Sequence, residues 1–192
     1  MHIDSLSKEL RVGDIVFIHI DILPFRKIAK DTQSWTNHVG IIIDVAGDEP
    51  IVAESTFPRS TTTPFSKFLK RSKDHRVAIK RLHDPLSTAQ QAAIKEAANK
   101  KLGRWYDTGF NLHSRKQFCS RYVHEVVSEA LNIELGTIEN MRTLLTNNPK
   151  ADLLFWRIWY FGRIPWERET VTPASILHSP KLHSVFDGTI TL

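Results

Sequence analysis

Apolar residues cluster early in the chain in short runs with the character of strands. Ile15-Val16-Phe17-Ile18-His19-Ile20 is rich in β-branched residues and follows a turn segment, Leu10 to Asp14, so it predicts a strand. A second run, residues 39–45, is followed by Ala46-Gly47-Asp48-Glu49-Pro50 and then by Ile51–Ser55, which predicts a hairpin. Residues 76–82 alternate polar and apolar side chains, the period of a fourth strand. Residues 24–30 and 64–70 predict short helices, the first basic and leading into a polar loop, residues 31–37. After these the period changes. Ala92, Ala93, Ile94, Ala97 and Ala98 form a helical stripe in a segment that starts near Pro85 and Ser87 and stops at Gly103. Val123, Val126, Val127 and Ala130 give a second helix, residues 118–131, its apolar face. Residues 137–146 predict a further helix, and Thr172-Pro173-Ala174-Ser175 caps a last helical turn. Residues 153–166 hold three of the five tryptophans and follow no clear period.

Strands followed by helices predict an α+β fold, with an antiparallel sheet packed against helices. With 192 residues, 41% hydrophobic and 24% charged, the chain is expected to form a single domain over residues 1–192, large enough to need no metal or disulfide staple. A tryptophan-rich segment lies at about residues 150–168. No apolar run approaches the ~20 residues of a membrane span. The first ten residues lack an apolar signal core, and there is a single cysteine, so a reducing, cytoplasmic location is expected.

The net charge of +5 is partly concentrated at Lys67, Lys70, Arg71, Lys73 and Arg76, followed by Lys80 and Arg81. Such a cluster is a solvated face or a scaffold for nucleic acid, whose affinity would fall steeply with salt. No zinc-finger spacing, nucleotide-binding loop or aromatic RNA motif accompanies it, so no specific nucleic-acid partner is expected.

The lone cysteine, Cys119, opens the helix Phe118-Cys119-Ser120-Arg121-Tyr122. A lone cysteine among apolar residues is either a small buried hydrophobe or a nucleophile. An unperturbed thiol, with a pKa of about 8.5, is mostly protonated at neutral pH. A helix N-terminus and a nearby imidazolium both favour thiolate, and the helix's first N–H groups suit an oxyanion. His38 directly precedes Val39-Gly40-Ile41-Ile42-Ile43, which sets its ring at a strand end; Gly40 leaves room on the same face for a helix end or a substrate. A hairpin symmetric about residues 47–49 sets Glu54 near Ile42, on the face of Gly40 and His38, where its carboxylate orients the imidazole. Asp14 and Asp44 are rival acids.

The order Gly13-Asp14-Ile15-Val16-Phe17, Asn37-His38-Val39-Gly40-Ile41, Val52-Ala53-Glu54, Tyr106-Asp107 with Phe110, and Phe118-Cys119-Ser120 resembles the permuted papain-like amidases. These are a branch of the NlpC-type cysteine hydrolases related to the lecithin:retinol acyltransferase group, and the likeness is strongest to bacterial proteins of the YiiX and YebB type. It spans about residues 10–127, with a weaker echo at Thr172 to Leu177. The resemblance implies a circularly permuted papain-like fold, with the histidine strand before the cysteine helix. It also implies Cys119 as nucleophile, His38 as general base and Glu54 as orienting acid, with Tyr106 and Ser120 lining the substrate site. Arg121 departs from the acidic residue common after this Cys-Ser pair, and residues 153–166 match nothing in the pattern.

The expected reaction is amide or ester cleavage through a thioester, on a small acylated, peptide or lipid-like substrate; with an alcohol or amine in place of water the same site is an acyltransferase. No cofactor is called for. His113, His124, His178 and His183 lack metal-ligand spacing, so no metal is expected. The rival reading is a catalytically silent module that binds a lipid or acylated peptide. In it, Trp156, Trp159 and Trp166, with Phe155, Tyr160 and Phe161, form an aromatic wall or a membrane-facing patch. The plainer alternative is that these rings pad the core.

Overall fold

A computed structural model describes residues 1–191. In chain order the elements are α1 (Ile3–Glu9), β1 (Ile15–Ile20), α2 (Leu23–Asp31), β2 (His38–Asp44), β3 (Ile51–Ser55), β4 (Ser60–Pro64), α3 (Phe65–Leu69) and β5 (Ser72–Leu82). The second half holds α4 (Thr88–Asn99), α5 (Cys119–Leu131), β6 (Ile138–Asn140), α6 (Met141–Thr146), α7 (Leu153–Trp159), β7 (Glu169–Val171), α8 (Pro173–Leu177) and β8 (Leu182–Thr189). Six strands form one sheet in the order β4-β3-β2-β1-β5-β8, every neighbouring pair antiparallel, and β6 and β7 make a separate ribbon. The fold is α+β, as the pattern predicts.

The central strands read as continuous apolar runs because both faces are covered. Ile15 and Phe17 of β1, Val39 and Ile41 of β2 and Ala78 of β5 point to one side. There they meet Ile94, Ala97 and Ala98 of α4 and Tyr122, Val123, Val126 and Val127 of α5. Val16, Ile18, Ile42, Val77 and Ile79 point to the other, against Leu6 of α1 and Phe65, Phe68 and Leu69 of α3. Each fully buried Val, Leu, Ile or Phe contributes on the order of 1.5–3 kcal/mol. The Tyr122 hydroxyl donates to the Ala98 carbonyl at 2.8 Å, which ties the two helices together where both are driest.

Five elements escaped the sequence pattern, and the helix expected over residues 137–146 starts only at Met141, because residues 138–140 pair with Glu169–Val171 as the ribbon β6–β7. The polar Ser60–Pro64 strand is an edge strand whose Thr61 and Thr62 face solvent, and β8 is the opposite edge, only half-buried, so neither needs an apolar period. The seven-residue α1 buries Leu6 alone within its span. The tryptophan-rich stretch begins with the short helix α7, capped by Asp152, whose side chain accepts the Phe155 N–H. Trp156 is buried in a third cluster with Met141, Leu145 and Ile164, so the rings do pad a core. Leu154, Ile158 and Phe161 stay exposed on its outer side.

Candidate active site

His38 is the first residue of β2 and is fully buried. Its position at the mouth of the sheet lets the ring reach both faces. On one side lies Phe68, with ring centroids 5.6 Å apart, and at the edge lies Phe25 at 6.2 Å. The room left by Gly40 is taken by the sheet's own packing. A Cβ there would collide with the Val52 side chain and lie 3.1 Å from the Phe68 ring, so the space expected to admit the cysteine helix or a substrate admits α3's phenylalanine instead.

The hairpin register runs Ile41 with Ala53 and Ile42 with Val52, then shifts before Asp44 meets Ile51. Glu54 therefore sits two residues nearer His38 than a symmetric turn predicts. A two-residue displacement keeps the face, which is why the expected pairing survives the bulge. Glu54 Oε2 lies 2.6 Å from His38 Nε2. Its carboxylate also accepts from the Thr63 hydroxyl at 2.6 Å and from Arg71 Nη2, at 2.7 Å to one oxygen and 2.8 Å to the other. A fully buried carboxylate is costly unless charges and donors surround it, and here three residues do. The rival acids are committed elsewhere: Asp14 receives a two-point contact from Arg81, and Asp44 pairs with Lys95.

Cys119 begins α5. Phe118 stands at the cap position with no side-chain acceptor to offer, so no side chain caps the helix's first N–H groups. The thiol is buried, and Sγ lies 4.0 Å from the carbonyl oxygen of Asn37, the residue just before His38. His38 Nδ1, the ring nitrogen not engaged by Glu54, has no hydrogen-bond partner within normal limits. Burial opposes charge on this imidazole most strongly. The interactions with Cys119 and then with Glu54 outweigh it and raise the ring to about 9, so it is protonated at neutral pH. Burial likewise pushes Glu54 up, but His38 and Arg71 overcome it and hold the carboxyl at about 2.

Tyr106 completes this corner. Its hydroxyl is buried and unpartnered, and burial, followed by its neighbours Cys119 and Asp107, pushes it well above a phenol's ordinary range, so it stays a neutral donor. Ser120 is nearby but engaged: its hydroxyl donates to the Val171 carbonyl at 2.7 Å. Cys119 and Ser120 form part of the wall of a largely apolar cavity of about 50 Å³, with Ile28, Phe110, Met141, Leu145, Trp156 and Pro173 among the other walls. Asp31 also reaches this wall, accepting the Trp156 indole N–H at 2.5 Å; burial, first among its influences, raises its carboxyl.

The sequence pattern does not point to two members of this arrangement: Arg71 falls within the basic cluster, and Thr63 lies on the edge strand β4, which has no apolar period. Of the remaining cluster, Lys73 pairs with Asp21, Arg76 with Asp187 and Arg81 with Asp14. Arg121 is turned inward, bonding Glu125 and the carbonyls of Ser114 and Lys116, which pins the loop before the cysteine helix. His19 and His124 are satisfied by the carbonyls of Trp35 and Leu135. Among the described residues, no three His, Cys, Asp or Glu side chains converge as metal ligands. No helix among the described residues is long and apolar enough to cross a membrane.

The model of the family described as permuted papain-like amidase enzyme, YaeF/YiiX, C92 family, matches residues 9–186. Uncharacterized protein YiiX of Escherichia coli (strain K12) is 25% identical over 183 residues, covering 95% of this chain and 89% of that protein. The crystal structure of metalloprotein yiiX from Escherichia coli O157:H7 superposes with a TM-score of 0.82 at 23% identity, over 93% of this chain and 98% of that one. At that identity it is the fold that is shared.

Proposed function

The chain belongs to the permuted papain-like amidase family, and from that footing we propose that it cleaves an amide or ester bond through a thioester on Cys119. The observation that carries this reading is the ring of His38, held at Nε2 by Glu54 with Nδ1 left without a partner, while the Cys119 thiol lies 4.0 Å from the carbonyl of the preceding residue, Asn37. A third group that fixes the tautomer and orientation of a catalytic imidazole is the general logic of cysteine and serine triads.

In the proposed sequence the Cys119 sulfur attacks the carbonyl carbon as a thiolate. The tetrahedral oxyanion is met by backbone N–H groups at the uncapped start of α5 and by the Tyr106 hydroxyl, a neutral donor with no competing partner. Protonated His38 gives its Nδ1 proton to the leaving amine or alkoxide, and the acyl group stays on sulfur. Neutral His38 then takes a proton from water, whose oxygen attacks the thioester, releasing the acid and restoring the Cys119 thiolate beside protonated His38. Glu54, clamped by Arg71 and Thr63, holds the ring in register throughout. The apolar cavity beside Cys119 suits a short hydrocarbon group of the substrate. The Escherichia coli fold neighbour is described as a metalloprotein, but the donors near Cys119 and His38 in this chain do not form a metal-ligand set, and no step is routed through a metal.

Alkylation tests the pair directly, since the chain has a single thiol. Iodoacetamide should label Cys119 at pH 6–7 at least tenfold faster than it labels the His38→Ala variant. Labelling that proceeds only above pH 8, at a rate unchanged by His38→Ala, rejects the proposal.

A further inference from the structure

The outer face of the tryptophan-rich segment has no role in the site just described. Leu154, Ile158 and Phe161 recur at helical spacing on α7 and its continuation and are 68%, 69% and 100% exposed, with Leu153 beside them at 45%. Four large apolar side chains turned outward over nine residues are unusual for a water-facing helix. Phe161 adds a second anomaly. It holds a left-handed backbone, φ 53°, ahead of Gly162 at φ 103°. An aromatic residue in that conformation is strained, and here no burial compensates for it.

The charges on this segment have one sign. Between Leu153 and Trp166 the ionisable side chains of Asp, Glu, Lys or Arg type are Arg157 and Arg163 alone. Both are exposed, and neither has a carboxylate partner among the described residues; Lys150, just before, is also exposed. The nearest acids are occupied, Asp152 by Lys27 and Glu167 by Arg142. Half-buried rings of Trp159, Tyr160 and Trp166 border the stripe, and Arg163 and Arg168 line an open groove between Gly109 and Phe161. Projecting aliphatic and aromatic side chains, bordering tryptophans and unpaired arginines are together the chemistry of a peripheral membrane surface.

We propose that this face, residues 153–166, docks the protein on an anionic lipid bilayer, with Leu154, Ile158 and Phe161 entering the acyl boundary and Arg157 and Arg163 meeting lipid phosphates. The charge complementarity selects this occupant over a second copy of the chain, because two copies of one cationic face repel. The inner side of the same helix, through Trp156, walls the cavity at Cys119, so docking would bring that cavity to the lipid surface. The inference stands apart from the hydrolase reading, because its test is binding and not turnover.

The test is co-sedimentation of the full chain with sucrose-loaded vesicles, of phosphatidylcholine alone or with about 30% phosphatidylglycerol. Binding to the anionic vesicles is expected, weakening severalfold when salt rises from 50 to 300 mM. R157Q/R163Q should lower partitioning by about fivefold per charge removed. Phe161→Gly relieves the left-handed strain as it removes the ring, so its melting temperature should not fall while partitioning does; L154S/I158S/F161G should lose tenfold or more. Equal binding to both vesicle types, no binding to either, or unchanged partitioning in Phe161→Gly overturns the proposal. So does a concentration-dependent dimer that the triple variant dissociates and that does not bind vesicles.

Discussion

The two nitrogens of the His38 ring look onto unlike regions. On the Nε2 side, β2, β3 and β4 supply Glu54, Thr63 and, from beyond α3, Arg71, and both carboxylate oxygens of Glu54 are engaged by donors in a buried, two-sided sheet. On the Nδ1 side, where α5 starts, the imidazole nitrogen and the Tyr106 hydroxyl are buried and without partners, beside a thiol and an uncapped helix end. Orphaned buried polar groups are rare and costly, so their concentration against Cys119 is informative. The first half holds the ring, and the second is where the proposed reaction would take place. Stability is held on the first side, and the proposed chemistry is confined to the second.

That contrast breaks most visibly if variants on the reactive side cost stability. Tyr106→Phe should leave the fold unchanged or slightly steadier, because the hydroxyl it removes has no partner. Turnover of a p-nitrophenyl ester should nonetheless fall on the order of 10²-fold, the usual cost of one oxyanion donor. An undiminished rate would remove Tyr106 from the site. On the orienting side the signs reverse: Glu54→Ala strips the partner from buried His38 and Arg71 and should cost about 3–5 kcal/mol in urea unfolding. Gly40→Ala should cost about 1–3 kcal/mol by pressing on Val52 and Phe68, and the added Val52→Ala should recover part of it.

The same contrast shows in the pH profile of stability. His38, raised to about 9 from 6.5, binds its proton more tightly folded than unfolded. That stabilisation is complete below about pH 6.5 and is lost as pH rises through 9. Glu54, held at about 2 against an ordinary 4.5, contributes stability present above pH 4.5 and lost as pH falls toward 2. Thermal melts should therefore show a maximum between the two limbs, and Glu54→Gln should remove the acid one. A flat profile in the wild type would mean that the buried pair is not ionised.

Much of this was legible in the sequence wherever a residue acts through its own strand or helix. His38, Glu54 and Cys119 announce themselves because Gly40, the Gly47–Glu49 turn and the stripe of Val123, Val126 and Val127 set their faces locally. The bulge at Ile42 to Asp44 shifts the register by one and the turn's own asymmetry by another, so Glu54 ends two positions from the symmetric pairing, and an even displacement is the kind that pattern reasoning survives. Arg71 and Thr63 were not legible. The arginine lies 17 residues from Glu54 beyond a short helix, and the threonine sits on an edge strand with no apolar period. The tryptophan-rich segment was ambiguous for a physical reason too. It is buried on one side through Trp156 and apolar on the other through Leu154 and Ile158, so no amphipathic period survives.

The central claim is that His38 stands protonated between Glu54 and Cys119. An NMR titration of the His38 ring carbon-bound protons measures this without a substrate. The account predicts that the wild-type ring titrates at about 9, and that the value drops clearly in Cys119→Ala, which removes the strongest influence favouring its charge. A ring that titrates near 6.5 in both proteins would contradict it.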